Sequence, residues 1–355
     1  MNNVNIYEPR TMVESLMQVQ PVHRFLRNTF FGDVKLHYTR KIDLDVFKGK
    51  RRIATFVNPI HDGRVVEREG FSTYTVEPGY TKEKMPITIA DTMTRAMGEN
   101  LYQASTPAQR MQQLLGQDLQ NLMSRLDRLE EKMCAEAMVT GKVVMKGVGM
   151  DLLVDFGYEP GTHLITLSGS DVWGTGTAPS VVPNPNANPI TQLDYWRREI
   201  NKRCGIAPTH CICGYDAAWA LYNNPEVRDL MKTYQANIVT AMVPENFGDG
   251  VSYYGKLRLP SGVVDIISYE EYYTDPSTGE SMPIIPPNVV VLGNPGARST
   301  FNYGLIQNMF ADLAPMPRFP RSWIEEDGSA RWLQLESAPL PNLTQIDAFM
   351  SITVM

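Results

Sequence analysis

The sequence predicts an α+β protein with more than one packed region, on three observations. Residues 107–139 carry apolar positions at helical spacing without a break. Residues 50–90 hold short alternating runs separated by turn residues, and residues 190–292 alternate helix-like with strand-like segments. At 355 residues the chain exceeds the roughly 250–300 at which a single core stops growing, so two packed regions or a domain with long extensions are expected.

The helix has a start and a stop. Thr106 suits an N-cap, Pro107 the first helical position and Gly141 the exit. Leu115, Leu119, Leu122, Leu126, Leu129, Met133 and Ala137 recur at steps of four and three, a stripe expected to pack on a sheet or a second helix. Gln117, Asp118, Arg125, Asp127, Arg128, Glu131 and Lys132 are expected on the wet face. A coiled coil is the competing reading, but the heptads end at Gly141 and strand-like sequence begins.

Residues 1–49 read as an arm, with helical spacing over 11–19 and 22–31 broken by Pro21. Phe25, Leu26, Phe30 and Phe31 are expected to dock on this subunit or on a neighbour, because undocked terminal segments fray. In residues 50–90, Ile53, Thr55 and Val57 alternate, as do Phe71, Thr73 and Thr75, then Ile87 and Ile89. Pro59, Asp62-Gly63, Gly70 and Pro78-Gly79 punctuate them, and charges of both signs are interspersed. This predicts a long antiparallel ribbon, which is marginal in water unless it lies on another surface, or else an ordinary hairpin on its own domain.

Strands and a turn are expected over 142–167. Residues 168–189, rich in Gly, Pro, Asn and Ser, are the expected linker and domain boundary. Beyond them come helices from Pro189, at 214–223 and at 225–242, and strands at 208–213, 263–268 and 289–292. Residues 331–355 hold two further strand-like runs, expected to return to the strands that follow the long helix.

Composition narrows the function classes. The apolar fraction of 43% suffices for a folded core, and a net charge of −6 argues against a dedicated nucleic-acid binder. MNNVNIYEPR has no apolar signal-peptide region and no run reaches membrane-span length, so folding in a reducing cytoplasm is expected. Phosphate-loop, dinucleotide, HExxH and GxSxG motifs are absent. The paired acids Glu130-Glu131, Glu270-Glu271 and Glu325-Glu326-Asp327 read as solvated faces. Cys204, His210, Cys211 and Cys213 lie close in sequence, but their spacing departs from zinc patterns and a plain buried strand is the simpler reading. No catalytic residue, cofactor or metal is expected.

The last third carries a resemblance. VVVLGNPGAR (289–298) runs into FNYGLIQN (301–308), followed by PRSW (320–323) and LESAPLP (335–341). Earlier come FVNPI (56–60), Asp62-Gly63, Arg68 and TVEPGY (75–80). Together these resemble the lambda-type phage major capsid protein family, protein E, over nearly the whole chain in the same order.

The resemblance implies the Hong Kong 97-like phage capsid fold. In it 1–49 is the N-terminal arm, 50–90 the extended loop and 91–189 the peripheral domain with its spine helix at 107–139. Residues 190–330 form the axial domain, and 331–355 return to the peripheral domain. Arg51, Arg52, Arg64, Glu67, Arg68 and Glu69 are then the expected intersubunit contacts of the loop. Leu115, Leu119, Leu122, Leu126, Leu129 and Met133 are the expected packing residues of the spine. The implied role is the major capsid protein of a tailed double-stranded DNA phage. It would assemble in the host cytoplasm through hexamers and pentamers into an icosahedral virion shell that encloses the genome without sequence-specific binding. The implied partners are further copies of itself, a portal, a scaffold or protease, and a decoration protein, with no membrane involved. Some relatives of this fold weld their shells with Lys–Asn bonds, and no such pair can be placed here. Two alternatives stand beside this reading: a cellular nanocompartment shell of the same fold, and an enzyme built on Cys204, His210, Cys211 and Cys213.

Overall fold

The computed structural model describes Met12, Ala54, Asp62 and residues 24–47, 71–94, 106–234, 245–248 and 250–355. Its longest element is the helix Pro107–Thr140. Thr106 accepts from the Gln109 N–H while the Gln109 side chain accepts from the Thr106 N–H, a reciprocal capping box. Gly141 ends the helix at φ 68°, where its Cα faces the Tyr158 ring and leaves no room for a β-carbon.

The two halves of this helix sit in different cores. Leu115, Leu119, Leu122 and Leu126 pack with Ile87, Leu333 and Leu335. Those three residues come from a three-stranded antiparallel sheet in the order Phe319–Ile324, Ala330–Ser337, Thr81–Thr88. The C-terminal half (Met133, Cys134, Ala137, Met138) is buried instead among Leu26, Phe30, Phe31, Ile212, Val291, Phe301 and Phe349, with Leu129 half-buried at its edge.

A seven-stranded mixed sheet separates that second core from a third. Its order is Glu245–Gly248, Val251–Leu259, Gly262–Tyr269, His210–Cys213, Val289–Gly293, Met350–Thr353, Leu164–Thr166. Alternation along the strands assigns the faces. Ile212, Ile267, Val289 and Val291 point to the long helix. Cys211, Cys213, Ile266, Val290, Leu292 and Ile352 point to the helices Pro189–Cys204 and Tyr215–Asn223.

Several expectations are corrected. The ribbon starts earlier than residue 50, since Ile42–Phe47 pairs antiparallel with Phe71–Val76. Thr81–Thr88 leaves the ribbon and joins Ala330–Ser337, because its apolar side chains Met85 and Ile87 are needed under the long helix. Residues 168–189 are not a free linker: Trp173 is fully buried among the third-core side chains and donates through Nε1 to Gln192 at 2.6 Å. The C-terminal Met350–Thr353 does return to Leu164–Thr166, among the strands that follow the long helix, and pairs on its other side with Val289–Gly293. The helix expected at 225–242 is described only as Pro225–Tyr234, and its remainder, residues 235–242, lies outside the described residues.

Leu122→Asp would place a charge at a buried position between the long helix and the three-stranded sheet. We expect the unassembled subunit to lose about 3–5 kcal/mol of stability, read as a large fall in its melting temperature.

Candidate assembly surfaces

The arm docks on its own subunit through a buried ionic cluster at the junction between the two halves of the long helix. Asp127, Glu130 and Glu131 are 1%, 0% and 3% exposed. This corrects the expectation that Asp127 and Glu131 face water and that Glu130-Glu131 is a solvated pair. At positions i, i+3 and i+4 the three acids share one helix face.

Three arginines from two remote segments meet that face. Arg24 Nη1 lies 3.2 Å from Asp127 Oδ1 and 3.1 Å from Glu130 Oε2. Arg27 Nε lies 3.2 Å from Glu130 Oε2. Arg318 Nη2 donates to Asp127 Oδ1 and lies 3.5 Å from Glu130 Oε2. Arg27 Nη2 also donates to the Tyr303 hydroxyl at 2.9 Å, which donates onward to Glu130 Oε1 at 2.8 Å. The Arg27 guanidinium stacks 4.7 Å above the Phe301 ring. Burial works against the Arg318 charge, yet Glu130 and Asp127 outweigh it and hold its pKa above the ordinary value.

Glu131 has a separate task. The short helix Phe25–Phe30 has no side-chain cap of its own. Glu131 Oε1 accepts from the Leu26 N–H at 2.7 Å and Oε2 from the Arg27 N–H at 3.1 Å. A carboxylate from another element thus satisfies donors that the start of a helix leaves open. Tyr269 adds a third donor at 3.0 Å. Burial pushes the Glu131 carboxyl up to about 7 against the pull of these donors and of Arg24.

A second buried carboxylate anchors the base of the ribbon. Glu336 is fully buried; it accepts from the Tyr80 hydroxyl, from Gln334 Nε2 and, at 2.7 Å, from Asn308 Nδ2. Lys82 Nζ lies 3.6 Å away. Above this anchor the ribbon is polar on its outer face. Thr73 and Thr75 donate to Asp45 and Asp43 across the strands at 2.8 and 2.7 Å, and Tyr74 is exposed.

The sequence-expected contact residues Arg51, Arg52, Arg64, Glu67, Arg68 and Glu69 lie outside the described residues. Of the expected spine residues, Leu115, Leu119, Leu122, Leu126 and Met133 are buried and Leu129 is partly so. The cysteine cluster is split by strand alternation. Cys211 and Cys213 place their sulfurs 3.6 Å apart on one face of the sheet, while His210 stacks edge-on against Phe30 on the other. Cys204 Sγ donates to the Ile200 carbonyl at 3.2 Å. The cluster residues that sequence reasoning missed are Arg24, Arg27 and Arg318. One signal was available: from Met133 to Val139 the helix is apolar on most of its circumference, which places acids one turn earlier at the edge of an interior.

The model of the family described as phage major capsid protein E matches residues 8–354. The chain belongs to the phage major capsid protein E family. The major capsid protein of Escherichia phage lambda is 28% identical over 337 residues, covering 92% of this chain and 93% of the relative. That of Escherichia phage N15 is 26% identical with the same coverage. The crystal structure of a prophage capsid protein from Escherichia coli CFT073 superposes with a TM-score of 0.72 at 20% identity, covering 98% of this chain and 99% of that one. The capsid structure of the cyanophage P-SCSP1u gives 0.50 at 9% identity, covering 94% and 89%. The α+β fold is therefore a capsid-type fold. This member of the family is a structural protein of the virion capsid, and the matched family is one of capsid structural proteins and not of enzymes.

With its carboxyl near 7 in the fold and at the ordinary 4.5 unfolded, Glu131 contributes stability that is full below about pH 4.5 and is lost as pH rises through 7. Against Glu131→Gln, whose amide does not titrate, the unaltered chain should lose about 3 kcal/mol across that window. Chemical denaturation of the unassembled subunit at several pH values measures it, and a flat difference would contradict the assignment.

Proposed function

We propose that the chain builds the icosahedral head of a tailed double-stranded DNA phage through hexamers and pentamers, in a Hong Kong 97-like arrangement. The observation that carries this reading is the family match, which spans residues 8–354. In this arrangement the long helix is the spine of a peripheral domain, and the seven-stranded sheet with its outer helices is the axial domain around the five-fold and six-fold axes. Residues between the paired strands Ile42–Phe47 and Phe71–Val76 form the extended loop that crosses a neighbour.

Rings of identical subunits use heterologous contacts that close by rotation. The arm clamp and the Glu336 anchor serve this by fixing where two extensions leave the subunit, so that less freedom is lost when they engage neighbours. Mixed charge on the loop (Arg51, Arg52, Arg64, Glu67, Arg68, Glu69) favours orientation and partner choice more than raw affinity. A net charge of −6 suits a wall that contains densely packed DNA without binding it tightly. A portal, a scaffold or protease, and a decoration protein complete the partner set. No step of this function needs a catalytic residue, cofactor or metal.

Co-expression with the neighbouring scaffold gene should give closed shells of uniform size in negative-stain electron microscopy. Arg51→Glu combined with Arg52→Glu should leave a folded subunit and abolish those shells. Soluble monomers from the unaltered chain would overturn the reading, and normal shells from the double variant would overturn the role of the loop.

A further inference from the structure

Directly after the long helix, Lys142–Gly147 and Met150–Asp155 form a hairpin that is a two-stranded sheet of its own among the described residues. Its inner face is committed: Val143, Met145 and Val154 are buried in the core around the long helix, and Met145 Sδ accepts from the Gly79 N–H at 3.1 Å. Its outer face is uncovered among the described residues. Val144 and Leu153 are 41% and 59% exposed, and Val148 at the tip is fully exposed.

The outer face has a defined charge pattern. One strand presents Lys142, Val144 and Lys146; the other presents Asp151, Leu153 and Asp155. The register sets Lys142 opposite Asp155, Val144 opposite Leu153 and Lys146 opposite Asp151. Both cations lie on one strand, both anions on the other, with an apolar pair midway. Lys142 Nζ and Asp155 Oδ2 are 3.0 Å apart, and both remain about half-exposed.

This pattern is complementary to itself under one operation. A two-fold axis parallel to the strands, lying in the contact plane, turns a second copy over. Its acidic strand then covers the basic strand of the first at the same height. Lys142 faces Asp155 of the second copy, Lys146 faces Asp151 of the second copy, and Val144 faces Leu153 of the second copy. The same contacts recur by symmetry, as an isologous interface requires. Stacked sheets sit about 10 Å apart, within reach of lysine and leucine side chains from both sides. A partner of uniform charge would meet repulsion along one strand, whereas a second copy meets none.

We infer that the outer face of the hairpin 142–155 is a two-fold contact between copies of this chain. The inference rests on the shell reading above, since a closed icosahedral shell contains such axes, and it deepens that reading by naming the residues that meet there.

Charge reversal tests it in a way that separates contact between copies from pairing within one. Lys146→Asp alone and Asp151→Lys alone should each reduce shell yield at least about tenfold under the co-expression conditions above, because like charges then face across the axis. A one-to-one mixture of the two variants should restore shells. Each contact between one variant and the other again faces opposite signs, although within each variant positions 146 and 151 carry like charges. Leu153→Lys, which opposes a charge to Val144 of the second copy, should lower yield to a similar degree. Wild-type yield from the single variants, or a mixture no better than its components while each subunit melts like the unaltered chain, would overturn the contact and leave the shell reading standing. Failure of the unaltered chain to form shells would overturn both.

Discussion

Removing charged side chains from water is costly, and the cost is offset only when each charge meets several partners of opposite sign in good geometry. At the middle of the long helix Asp127 and Glu130 are matched by Arg24, Arg27, Arg318 and Tyr303, while Glu131, which accepts from Tyr269 and two backbone N–H groups, is still pushed toward its neutral form by burial. The rest of the fold is arranged around this constraint. The arm helix must lie where Glu131 can cap it. The chain before Phe319 must bring Arg318 to the same point, and Tyr303 must reach inward from the strand Thr300–Tyr303. A hydrophobic contact would tolerate several positions of the arm, while this set of directional bonds tolerates one.

The cluster also stands where the two cores of the helix meet. On its N-terminal side the stripe of leucines packs on the three-stranded sheet; on its C-terminal side the helix is enclosed by the arm and the seven-stranded sheet. The arm helix, the three-stranded sheet and the seven-stranded sheet are thus tied to one rod, about 50 Å long by its residue count.

Much of this was legible in the sequence. The caps and leucine stripe of the long helix gave its bounds to within one residue, because capping and periodicity are local. The apolar character of Phe25, Leu26, Phe30 and Phe31 signalled docking, and the linear motifs at 289–341 and 56–80 carried the family. Non-local choices were hidden. Nothing near Glu130 announces that Arg24 and Arg318, more than a hundred residues away in each direction, will meet it. Thr81–Thr88 has the alternation of a ribbon strand, and only the need to cover Leu115 and Leu122 sends it to another sheet. Gly- and Pro-rich sequence at 168–189 suggested a linker because composition reports turns well and buried anchors such as Trp173 poorly.

Glu131 holds the arm by capping its helix. Amide hydrogen exchange of the unassembled subunit, followed segment by segment in the unaltered chain and in Glu131→Ala, measures this directly. Residues 24–31 should exchange slowly in the unaltered chain and lose protection selectively in the variant, with 107–122 unchanged. Equal protection of 24–31 in both proteins, or a uniform loss over the whole chain, would contradict the account.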